Sequence, residues 1–170
     1  MNSVDDALRS SRLGLDSLIA GAEASRDAWA LPRAAGRWSP AQIVEHVAVM
    51  LEEAAHDVAR APCKFPPVPF FVRPIFRGAW FKRVLKLQAF PKARTFKALD
   101  PAAGPDTSAA GRVRLENAFG DFERETRSAA ARGPIFVSKL FGKVSLLDYI
   151  RFQDLHTRHH AQQLSTPVHA

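Results

Sequence analysis

SPAQIVEHVAVMLEEAAHDVARAP, residues 39–62, carries the clearest element boundary in the chain. Ser39 is placed to accept a backbone N–H as N-cap, and Pro40 falls at N1, where its missing N–H costs nothing. Gln42 at N3 completes a capping box. Ile43, Val47, Met50, Leu51, Ala54 and Val58 then recur at helical spacing, and Pro62 marks the end. Upstream, Val4, Leu8, Leu15, Leu18, Ile19 and Ala22 predict a first amphipathic helix over about residues 3–29, broken by Pro32 and Gly36. Downstream, Val113, Leu115, Phe119 and Phe122 predict a third over about 109–131, stopped by Gly133 and Pro134. The last begins at Ser145, with Asp148 as its capping-box partner, and runs to about Leu164. Four amphipathic helices and no strand-like alternation predict an all-α, four-helix bundle.

The length of 170 residues fits one domain with a core of its own, and 46% apolar with 24% charged residues is globular composition rather than disorder. Cys63 is the only cysteine, which excludes an internal disulfide and a cysteine-rich metal cluster and suits a reducing compartment. The polar, early-acidic N-terminal segment argues against a secretory signal, and no apolar run approaches the roughly 20 residues of a spanning helix. The expected location is cytoplasmic. One region departs from this ordinary picture. Residues 58–99 contain no Asp or Glu but ten Lys or Arg and eight aromatics. Subtracting those ten charges from the chain's +7 leaves −3, so the basic character belongs to an insert, about residues 62–105, between helices two and three.

Placement singles out three of the six histidines. His46 borders the apolar stripe of the second helix, between Ile43 and Val47. His156 and His160, four apart on the last helix, leave one face about a turn apart and suit a shared metal ion; His159 is the alternative at the i, i+3 spacing. A third imidazole from a facing helix would give three neutral ligands with positions left open, the arrangement of a catalytic site. The plainer readings are a packed core histidine at 46 and a solvated or dipole-matching cluster near the helix end. His56 shares roughly the His46 face but lies about 15 Å along the axis. His169 has no evident role.

WSPAQIVEHV (Trp38 to Val47) resembles the second-helix signature of the DinB-like superfamily, which includes the YfiT-type bacterial proteins. LFGKVSLLDYIRFQDLHTRHHAQQL (Leu140 to Leu164) resembles the closing motif of one subgroup, a Phe-Gly-Lys turn leading into a helix that ends His-x-x-His-His-x-x-Gln-Leu. Together these cover about a fifth of the chain. The resemblance implies an up-down-down-up bundle and carries the family's metal triad onto His46, His156 and His160. It also implies zinc, nickel or iron as the divalent ion, and thiol-dependent transfer or isomerisation with bacillithiol or mycothiol as the activity of characterised relatives. Where subgroup members often have His-Pro before the Phe-Gly turn, this chain has Ser138, Lys139 and Leu140.

A three-histidine centre can activate water for hydrolysis or hold a thiolate for transfer to a small-molecule substrate. Gln153 and Gln163, near His156 and His160, and His159 are candidates to support the ligands. Glu45 and Glu53 are acid–base candidates on the second helix, although an exposed Glu is the commoner outcome, and Cys63 is a candidate reactive thiol. In the insert, Arg73, Arg77, Trp80, Lys82 and Arg83 are candidate contacts for an anionic substrate or a membrane surface. Nucleic acid is disfavoured, because no fold motif for it accompanies the charges. A lid and a homodimer surface are further readings, and in the main alternative to an enzyme the chain is a binding protein acting through this insert.

Overall fold

A computed structural model describes residues 3–66, 68–91 and 96–165. Lys92, Arg94 and His169 lie outside the described residues. The chain is mostly helical with one small hairpin, in the order α1 (Val4–Ala24), α2 (Pro40–Ala59), α3 (Arg73–Phe76), α4 (Lys82–Leu87), α5 (Ser108–Ala131), β1 (Ile135–Ser138), β2 (Gly142–Ser145) and α6 (Leu146–Ser165). Each long helix starts as its sequence dictates. The Ser39 hydroxyl accepts from the Gln42 N–H at 3.2 Å while the Gln42 side chain returns to the Ser39 N–H at 3.0 Å. Ser3, Thr107 and Ser145 accept in the same way from Asp6, Ala110 and Asp148. α1 is shorter than its periodicity suggests. It ends at Ser25, and a single tight turn follows over Arg26–Ala28.

The four long helices pack α1 on α6 and α2 on α5, with α1 also on α5 and α2 on α6. Leu8, Leu15, Leu18, Val44, Val47, Leu51, Leu115, Phe122 and Ile150 are all buried in the resulting core. Val113 is not among them. Expected as a core position, it is 57% exposed, because the buried stripe of α5 runs through Gly111, Leu115, Ala118, Phe119 and Phe122.

The hairpin β1–β2 corrects the purely helical expectation. Its strands are four residues each and pair Ser138 with Gly142 across a three-residue turn. Gly142 holds φ at +68°, which its lack of a Cβ makes cheap. The turn is tied down by Asp57, near the end of α2 and fully buried. Its carboxylate accepts from the Ser138 hydroxyl at 2.7 Å, the Lys139 N–H at 2.8 Å and the Tyr149 hydroxyl at 3.2 Å. Burial pushes the Asp57 carboxyl above its usual range, and those donors oppose the shift. Ser138 and Lys139 are thus the anchor of the hairpin.

The stretch between α2 and α5 packs a short helical segment against α6. α3, a π-turn over Arg77–Phe81 and α4 form one continuous helical segment, Arg73–Leu87. Its inner side stacks Phe76 and Phe81 on Phe141, and Phe81 on Phe152 of α6. The chain returns to α5 along the start of α2. There Gly104 sits so close that a Cβ would lie 2.1 Å from the Ala41 carbonyl oxygen. Carbonyls of this return strand accept from α2 and the α1–α2 connection: Pro101 from Gln42 at 3.2 Å, and Pro105 from the Trp29 indole at 2.6 Å.

Candidate metal centre

α2 and α6 bring His46, His156 and His160 together, all three buried, with their candidate ligand atoms within 4.8 Å of one another. His156 Nε2 lies 3.2 Å from His46 Nε2 and 3.2 Å from His160 Nε2. The orientation of two of these rings is set from behind. His46 Nδ1–H donates to the Leu99 carbonyl at 3.1 Å, and His160 Nδ1–H donates to Gln163 Oε1 at 2.9 Å. Since a carbonyl only accepts, Nδ1 carries the proton in each ring and Nε2 presents a bare lone pair. At most one proton, on His156, can then lie among three converging nitrogens. At least one lone pair is left without a donor in a buried site, which is costly unless a cation takes its place.

The donor set fits such a cation. Zn–N bonds of 2.0–2.1 Å at tetrahedral angles separate neighbouring nitrogens by about 3.3 Å, close to the two separations seen here. The rings are also kept neutral, as ligands must be. Burial lowers His46, against the opposing bond to Leu99, and drives His156 well below its ordinary value, with further repulsion from His160 and His46. Burial pushes His160 down to about 3. Among the described residues no carboxylate joins the cluster.

Aromatic walls flank the centre. Trp38 lies 4.7 Å from His46 and 6.2 Å from His160 between ring centroids, and Phe90, just beyond α4, meets His156 edge-on at 4.9 Å. Neither emerges from histidine spacing. Trp38 is signalled by its place just before a capped helix, where an apolar residue commonly packs, and at the head of the WSPAQIVEHV stretch, and Phe90 only by the aromatic bias of residues 58–99.

The comparison with protein families falls on the same elements. A model described as the DinB superfamily matches residues 8–164, nearly the whole chain. The chain belongs to the DinB superfamily. No curated protein and no solved structure gives a significant match. In this DinB-superfamily chain the other sequence candidates divide clearly. Gln163 bridges His160 and His159, its amide donating to His159 Nε2 at 3.0 Å, so His159 stands beside the cluster and not in it. Gln153 is buried one turn before His156, with its Oε1 lacking a hydrogen-bond partner. Glu45 is bound with Glu52 to Arg114 of α5. Glu53 is 4% exposed, against the expectation of a surface residue, and accepts from the Lys64 N–H. His56 is exposed beside Glu53, and Cys63 is half-buried. Of the candidates between α2 and α5, Arg73 and Arg77 are spent on the Val68 and Lys143 carbonyls, and Trp80 packs on Phe90. Lys82 and Arg83 are exposed.

Proposed function

We propose that this DinB-superfamily protein is a metal-dependent enzyme that joins a small electrophilic substrate to a low-molecular-weight thiol at a centre formed by His46, His156 and His160. The observation that carries the reading is the convergence of three Nε2 atoms, two with their lone pairs fixed inward by Leu99 and Gln163. A divalent ion held there (zinc, nickel or iron) supplies a positive charge that three neutral imidazoles leave unbalanced, and so favours the deprotonated form of a thiol or water. The chain's own residues do the rest. Leu99 and Gln163 hold the rings, burial keeps them unprotonated, and Trp38 and Phe90 offer apolar walls to the electrophile. Transfer is preferred over hydrolysis because the glutamates of α2 that could serve as base are engaged: Glu45 and Glu52 by Arg114, Glu53 by the turn at Lys64. In the same reading the four long helices form the family's up-down-down-up bundle, residues 62–105 are its insert, and the protein acts in the cytoplasm.

The test is turnover by metal-loaded protein of a chromogenic aryl halide with bacillithiol, mycothiol or glutathione, and of a nitrophenyl ester without thiol. Thiol-dependent halide release, lost in His156→Ala, is the expected result. Faster ester cleavage with no thiol requirement would replace transfer by hydrolysis, and inertness toward both would remove the enzyme reading.

A further inference from the structure

The helical segment Arg73–Leu87 has two sides of opposite character, and the histidine centre uses only one of them. Its inner side is the aromatic packing on Phe141 and Phe152. Its outer side is divided along its length. Phe70 and Phe71, in the turn just before its leading end, and Ile75 in its first turn are 79%, 67% and 70% exposed, the three most exposed large apolar side chains among the described residues. At the trailing end Lys82, Arg83 and Lys86 are exposed, and among the described residues none of them has an ion-pair partner. Clustered exposed apolar groups of this size mark an interaction surface. The absence of any acid over residues 58–99 fixes the sign of what it meets.

We infer that this outer side is a docking surface for an anionic lipid bilayer. Bulky apolar groups entering the acyl boundary beside unpaired cations at headgroup level is the composition of an interfacial segment. Single-stranded nucleic acid fits less well, because its binding needs aromatics interleaved with cations for stacking. Here the aromatics next to the cations, Trp80 and Phe81, pack inward, on Phe90 and Phe141. The outward pair, Phe70 and Phe71, precedes the helical segment, and about 14 Å of helix then separates Arg73 from Lys82. A second copy packed on this face would set like charges against each other. Docking does not depend on the metal. Because Phe90, just beyond α4, lies against His156, docking brings the cover of the histidine centre to the lipid surface.

Co-sedimentation of the full chain with phosphatidylcholine vesicles, with and without phosphatidylglycerol, tests this. The protein should pellet with the anionic vesicles only, and high salt should weaken the binding. Replacing Lys82, Arg83 and Lys86 by Ser should cut the partition coefficient about 100-fold, and Phe70→Ser/Phe71→Ser/Ile75→Ser at least about tenfold. All six side chains are exposed, so circular dichroism should match the wild type. The inference is overturned by any of four results: wild-type protein left in the supernatant at low salt, variants that bind like wild type, RNA binding without vesicle binding, or a dimer that the apolar variant splits while vesicles go unbound.

Discussion

The helices α2 and α6 hold two buried polar clusters on their shared face, and the two are built on opposite rules. Around Asp57 every member is answered within the chain: the carboxylate receives the Ser138 hydroxyl, the Lys139 N–H and the Tyr149 hydroxyl. Around His156 the outer nitrogens of two rings are answered, by Leu99 and Gln163, while the inner nitrogens face one another. A closed cluster holds a structure together. An open one, with its rings held rigidly from outside, is arranged to receive something the chain does not provide. The difference separates a structural anchor from a candidate centre more sharply than burial or residue type does, since both are buried and polar.

The largest effect that would sharpen this contrast is on metal affinity. His156→Ala should weaken Zn²⁺ or Ni²⁺ binding by about 1000-fold with helix content unchanged by circular dichroism, whereas Asp57→Ala should leave the stoichiometry intact. The next effect reverses the roles. Asp57→Ala strands the Ser138 and Tyr149 hydroxyls and should cost about 3 kcal/mol in urea unfolding, while His156→Ala in metal-free protein should cost much less. If the two variants behaved alike in both assays, the distinction between closed and open clusters would fail.

A smaller effect probes the outer support of the open cluster. Gln163→Ala frees the His160 ring and should lower metal affinity 10- to 100-fold, measured by competition with a chromogenic chelator. The smallest concerns pH. The three imidazoles have folded values below their unfolded value of 6.5, so the unfolded chain binds protons first as pH falls. Metal-free protein should therefore be most stable above pH 6.5 and lose stability below it, down toward the folded value of about 3 for His160. Each buried ring contributes up to about 1.4 kcal/mol per pH unit in that window. Asp57 works with the opposite sign, its raised value favouring the fold as pH falls toward 3.8. Urea midpoints from pH 7 to 5 should fall, and fall less in His156→Ala.

How much of this was legible in the sequence depended on the range of the interaction. The start of α2 is local chemistry among Ser39, Pro40 and Gln42, so its cap and the orientation of its stripe could be read directly. The His156–His160 pair follows from helical spacing in the same way. The partner at His46 could only be offered as one reading until the family resemblance joined the two helices, because packing between distant segments leaves no periodic trace. The hairpin leaves no such trace, because four-residue strands are too short to show alternation, and what stabilises them is Asp57, some 80 residues upstream. Glu53 reads as a surface residue for a similar reason, since nothing near it in the sequence reveals the bond it accepts from the Lys64 N–H. The Leu99 carbonyl was invisible as a support because every residue has one.

The central claim is that the open cluster holds a metal ion. It is tested most directly by elemental analysis of protein purified without a histidine tag, before and after incubation with Zn²⁺ and Ni²⁺. The account predicts one divalent ion per chain in wild-type protein and none in His156→Ala. A folded wild-type protein that retains no metal after either incubation would contradict it.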